Sequence, residues 1–196
     1  MENPSDYFVV SIISHDNRAV AKSIADLGAV ANILGRRFIL NMQIGTGIPP
    51  ARQRCLDAIK KFFPDQKEAY TLWIDSDIIL NDNPDTIAKY ITEAEQRGVS
   101  FTANYRTIDV LANRMWNVAG PEWGKHYTDD ELKNAKPFDL KCGNSGLGLC
   151  YLKMPLDYKF RMTHNEGEDE IFFRENPSLD VRYVPITNLH MKTVYL

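Results

Sequence analysis

Apolar positions along this chain fall into short continuous runs that alternate with segments of helical period. Tyr7 to Ser14 is almost wholly apolar and β-branched, the pattern of a strand covered on both faces. Val20, Ile24, Leu27 and Ala31 then recur at helical spacing, with Gly35 as the stop. A second strand is predicted over roughly Arg37 to Gly45, before Gly45-Thr46-Gly47 and Pro49-Pro50 break the chain. Pro50 suits the first turn of a helix running to about Phe63. Ala69 to Ile74 reads as a buried strand, and Pro84 to Arg97 as an amphipathic helix with Ile87, Tyr90, Ile91 and Ala94 on one face and Gly98 at its end. Val99 to Tyr105 completes a β-α-β-α-β-α-β series, which implies an α/β fold with a mainly parallel sheet flanked by helices.

The second half is less regular. Residues 108 to 137 hold Trp116, Trp123 and Tyr127 among polar neighbours and prolines, and read as an irregular excursion that includes a hairpin. Asp139 to Lys153 reads as a strand studded with Gly143, Gly146 and Gly148. A short helix is predicted over Asp169 to Glu175, followed by extended segments at Val181 to Val184 and Ile186 to His190. No linker or repeat divides the chain. It reads as one domain with a regular half, residues 1–107, and a smaller mixed half, residues 108–196.

Composition narrows the function. At 196 residues, 44% hydrophobic and 25% charged, the chain is an ordinary globular protein. Its net charge of −3 argues against a nucleic-acid partner held through counterion release. An anionic substrate would therefore need local cations or a metal. No apolar stretch approaches a bilayer span and the first residues are polar, so a soluble, cytoplasmic protein without a transmembrane segment is expected. Cys55, Cys142 and Cys150 are too few and too scattered for a zinc site or a disulfide framework, and a Cys142–Cys150 pair is left open.

The strongest chemical signal is Asp75-Ser76-Asp77 at the end of the apolar run. On a continuing strand, carboxylates at i and i+2 share a face, and Ile78-Ile79-Leu80 extends the run beyond them. Two such charges at the carboxyl end of a buried strand call for a cation, and oxygen ligands suit Mg²⁺ or Mn²⁺ bridging to a substrate diphosphate. The plain alternative is a turn signal. Gly167-Glu168-Asp169-Glu170 places acids at a helix start, where the macrodipole alone favours them. Three glycines within Cys142 to Gly148 suggest close approach by a ligand, or else a bulge.

The order of these elements resembles the GT-A glycosyltransferases, which use nucleotide-diphosphate sugars, from Tyr7 to His190, and the resemblance implies a nucleotide-binding half at 1–107 and an acceptor-binding and catalytic half at 108–196. The size looks like that of a minimal member without stem or anchor, such as a crenarchaeal virus carries. The resemblance implies that Asp77 and His190 hold Mn²⁺ or Mg²⁺, with Asp75 beside the cation or the ribose. It implies donor contacts from Asp16 with its neighbours His15 and Asn17, from Arg52, and from Gly143, Asn144 and Ser145 under the donor sugar. Lys192 would share the face of His190 on an extended segment and meet a phosphate. Asp169, or secondarily Glu168, would be the base for an acceptor hydroxyl, and the Trp116 to Tyr127 region the acceptor surface. The acceptor class (glycan, protein or lipid), stereochemistry and oligomeric state stay open. Two other functions compete: a phosphatase of the haloacid-dehalogenase type with Asp75 as nucleophile, and an inactive nucleotide- or sugar-binding module.

Overall fold

The computed structural model describes residues 2–14, 21–44, 47–103, 105–108, 113–116, 119–122, 124–164 and 166–191, with backbone alone at 21, 105–108, 113–116 and 191. A short 3-10 turn, Pro4–Asp6, leads into β1 (Tyr7–Ser14), followed by α1 (Ala21–Ile33), β2 (Arg37–Ile44) and α2 (Ile48–Phe62). Next come β3 (Glu68–Asp75), β4 (Ile78–Leu80), α3 (Pro84–Arg97) and β5 (Ser100–Ala103). The hairpin strands β6 (Tyr105–Ile108) and β7 (Asn113–Trp116) precede α4 (Asp129–Asn134), β8 (Lys141–Cys142) and β9 (Leu149–Pro155). The chain continues through α5 (Glu168–Glu175) and β10 (Val181–Val184) to β11 (Asn188–Met191).

Alternation along β1 sets the layers. Every residue of this strand is buried. Tyr7, Val9 and Ile13 enter one core with Leu56, Ile59, Trp73 and Phe172, on the side of α2 and α5. Phe8, Val10 and Ile12 enter the other with Leu27, Val30, Ile87 and Ile91, on the side of α1 and α3. The central sheet runs β2-β1-β3-β9-β5-β10-β8. Strands β2, β1 and β3 are mutually parallel, as are β5 and β10, while β9 lies antiparallel between β3 and β5 and β8 antiparallel against β10. The fold is thus the expected α/β layer with a mainly parallel sheet. Strands from the second half complete the same sheet as those of the first. A smaller sheet, β4-β11-β6-β7, carries the hairpin.

Two sequence expectations change in form. The apolar run around the aspartates is not one strand: β3 ends at Asp75, Ser76-Asp77 form a turn, and β4 joins the second sheet by antiparallel pairing with β11. The glycine-rich stretch 143–148 is a loop between β8 and β9 rather than a strand, and at Gly143 an added Cβ would run into the Pro121 backbone carbonyl. Among the described residues no helix is long and apolar enough to cross a membrane.

Candidate active site

The parallel strands β1, β3, β5 and β10 end at one edge of the sheet, and the loop before the antiparallel β9 returns to it, the place where ligands bind in open α/β sheets. Side-chain alternation carries Asp75 to the same side as Trp73, towards α2 and α5. There the Arg52 guanidinium, only 3% exposed, lies between two carboxylates. Its Nη2 donates to Asp75 Oδ1 at 3.3 Å, its Nε to Glu168 Oε1 at 3.1 Å, and its Nη1 to the Leu147 carbonyl at 3.4 Å. The guanidinium also stands 5.7 Å from the centre of the Trp73 ring. Arg52 therefore ties the end of β3 to the start of α5, and its donors face protein acceptors. Burial pushes the Asp75 carboxyl above its ordinary value; Arg52 opposes this, Asp77 adds to it, His190 opposes it and Glu168 adds to it. These couplings set Asp75, Asp77, His190 and Glu168 in one electrostatic neighbourhood.

Asp77 meets His190 through the second sheet. The β4–β11 register sets His190 opposite Ile78, and His190 Nε2 lies 2.9 Å from Asp77 Oδ2. Adjacent ligands of an octahedral cation at 2.0–2.1 Å stand about 3 Å apart, so this spacing suits two neighbouring corners of such a shell. Asp77 and His190 could hold one Mg²⁺ or Mn²⁺, leaving the other positions to water and substrate oxygens. Among the described residues no group of three or more metal-ligating side chains forms. Asp75 is committed to Arg52 through Oδ1. Its other oxygen faces Gly148, where a Cβ would come within 2.9 Å of it.

The two acids at the start of α5 point to different places. Glu168 is buried on Arg52, whereas Asp169 lines a cavity of about 200 Å³ together with Glu170 and residues 144–146. Asp169 Oδ1 accepts the Glu170 N–H at 2.9 Å, and Glu170 reaches back to the Gly167 N–H at 2.9 Å. A Cβ on Gly167 would sit 2.8 Å from Asp169 Oδ1, so glycine makes room for this carboxylate. Burial, then the charge of Glu168, pushes the Asp169 carboxyl upward.

The predicted donor residues separate. Asn144 and Ser145 line the cavity; Ser145 also joins a buried cluster in which its Oγ lies 2.5 Å from Thr102 Oγ1 and Cys150 Sγ donates to the Gly146 carbonyl at 2.8 Å. Gly143 does not face the cavity but packs beneath the turn at residues 120–121, where a Cβ would meet the Pro121 carbonyl at 2.7 Å. His15, Asp16, Asn17, Trp123 and Lys192 lie outside the described residues, as does the Trp116 side chain. Sequence reasoning passed over Thr102, His126 and the cavity-lining position of Glu170. Glu170 carried a usable signal, as the third residue of a helix capped by Gly167; Thr102 and His126 carried none. All three cysteines are free and buried, with Cys55 and Cys142 pushed up to about 12 and Cys150 to about 11, mainly by burial. None is a thiolate nucleophile near neutral pH.

No family model and no curated protein matches this chain. Among solved structures it is similar to an apo UDP-glucose pyrophosphorylase, with 10% identity over 94% of this chain and 76% of that one and a TM-score of 0.44. It is also similar to a glycosyltransferase involved in the glycosylation of the major capsid of PBCV-1, with 13% identity over 95% of this chain and 94% of that one, again at a TM-score of 0.44.

Proposed function

We propose that this protein is a metal-dependent glycosyltransferase of the GT-A type, moving a sugar from a nucleotide-diphosphate sugar to an acceptor hydroxyl. The observation that carries this reading is the convergence at one sheet edge of Asp77 paired with His190, and of Asp75 joined through Arg52 to the α5 turn that presents Asp169. Four elements distant in sequence thus supply a cation-compatible pair and a separate carboxylate at one crevice.

In this reading Asp77 and His190 bind Mn²⁺ or Mg²⁺, which when present neutralises charge developing on the leaving diphosphate. Asp75 is held by Arg52 so that it completes the electrostatics of the pair without collapsing onto it. Asp169, with one oxygen fixed by the Glu170 N–H, keeps the other for the acceptor hydroxyl and takes its proton as the new glycosidic bond forms. Its raised affinity for a proton makes it a stronger base than an exposed aspartate. A phosphatase nucleophile at Asp75 fits poorly, because Arg52 already engages one of its carboxylate oxygens.

A panel of UDP- and GDP-sugars assayed with and without Mn²⁺, beside p-nitrophenyl phosphate, tests the reading. Mn²⁺-dependent release of nucleoside diphosphate is expected. Metal-dependent phosphatase turnover with no processing of any nucleotide sugar would reject it.

A further inference from the structure

The strand that follows Asp77 is too short to fix its own place. β4 is three residues long, Ile78 to Leu80, and pairs along one edge with β11. In an antiparallel ladder, hydrogen bonds to the partner come from alternate residues. The Asn81 N–H donates to the Thr187 carbonyl at 2.9 Å, and Ile79 stands opposite Leu189. Ile79 and Asn81 therefore address β11, and the backbone groups of Ile78 and Leu80 address the other edge. Among the described residues no strand lies along that edge. Ile78 and Leu80 are each 1% exposed, so these groups need partners within the protein.

The partners come from the first turn of α1. Ser23, itself buried, donates from Oγ to the Ile78 carbonyl at 2.9 Å and accepts the Leu80 N–H at 3.2 Å. One hydroxyl thus fills the ladder position that a residue of a neighbouring strand would occupy. Lys22 adds a bond from Nζ to the Leu80 carbonyl at 2.7 Å.

This clamp bears on the candidate cation pair. Asp77 immediately precedes β4, and the β4–β11 register brings its Oδ2 within 2.9 Å of His190 Nε2. On its far side β11 is held by β6, so loosening β4 would displace Asp77 while His190 keeps its place. Groups that orient metal ligands without touching the ion are commonly worth roughly 10–100-fold in metal affinity.

We infer that Ser23 is a positioning residue for the Asp77–His190 pair: its hydroxyl pins β4 from the edge opposite β11 and holds Asp77 at the spacing a divalent cation requires. The cation's part in this rests on the glycosyl-transfer reading; the pinning of β4 does not.

The test compares Ser23→Thr with Ser23→Val in the full-length protein, two side chains of the same shape of which only the first keeps the hydroxyl. Ser23→Ala removes the hydroxyl without adding volume, and urea unfolding identifies the variants that fold. Two signals are read: the ring ¹⁵N resonances of His190 at one fixed pH without metal, and binding of Mn²⁺ alone by water-proton relaxation. Ser23→Thr is expected to keep the parent's resonances and Mn²⁺ affinity. Ser23→Val and Ser23→Ala are expected to shift the resonances and to bind Mn²⁺ about tenfold or more weakly. Parent-like resonances and affinity in Ser23→Ala, or equal losses in Ser23→Thr and Ser23→Val, would overturn the inference. Turnover is read separately. If Mn²⁺ binding depends on the hydroxyl while no nucleotide sugar is processed, the transferase reading falls and the positioning role stands; if Mn²⁺-dependent turnover proceeds and Ser23→Ala matches the parent in both signals, the inference alone falls.

Discussion

Arg52 holds the candidate site together because a buried guanidinium between two carboxylates cannot be removed without leaving both uncompensated. Arg52→Met should destabilise the protein by about 3–5 kcal/mol, read as a lower urea midpoint, since Asp75 and Glu168 would then face each other without their cation. Asp169 sits at the opposite balance. Its carboxyl is raised by burial and by Glu168, so its protonated form is favoured in the folded state. A raised carboxyl contributes stability below its unfolded value and loses that contribution as pH rises through its folded value. Asp169→Asn is therefore expected to raise the denaturation midpoint at pH 7 while abolishing transfer. The acid limb of kcat in the parent should lie above the ordinary aspartate value, with activity rising as pH rises through it. An unchanged rate in Asp169→Asn would remove this residue as the base. Gly148→Ala tests the packing of Asp75: the added methyl meets only the end of that side chain, so stability should change little while nucleotide-sugar affinity drops.

Elements with local punctuation were legible in the sequence. Helix α3 begins at Asn83-Pro84, where the Asn83 side chain accepts the Asp85 N–H, and ends at Gly98 in the left-handed region at φ 69°. Its predicted bounds match because each signal acts within a few residues. Gly98→Ala is expected to cost about 1 kcal/mol in thermal or chemical unfolding, since the turn needs that φ. Elements set by distant partners were not legible. The break between β3 and β4 depends on β11 recruiting Ile78–Leu80 into another sheet, and an uninterrupted apolar run carries no mark of such a handover. The Gly143–Gly148 stretch looked like a strand because its constraints come from the 120–121 turn and from Asp75. The antiparallel insertion of β9 likewise follows from sheet order rather than from its own residues.

At the scale of the whole molecule, a three-layer α/β fold brings residues from both halves of the chain to one sheet edge. The order of acids and the late histidine was visible in the sequence. Their partnerships were not, because Arg52 to Glu168 and Asp77 to His190 are contacts between residues more than a hundred positions apart. Spacing placed Asp75 and Asp77 on one strand face; the structure instead gives Asp75 to Arg52 and Asp77 to His190, by way of two different sheets. The proposed reaction depends on that division, with one aspartate kept in place by an internal cation and the other kept available for an exchangeable one. Calorimetric titration of nucleotide sugar with and without Mn²⁺ into the parent, Asp77→Asn and His190→Ala proteins tests it most directly. The parent should bind more tightly with Mn²⁺ and both variants should lose that gain while remaining folded; full Mn²⁺-dependent affinity in either variant would contradict the assignment of the pair as the cation site.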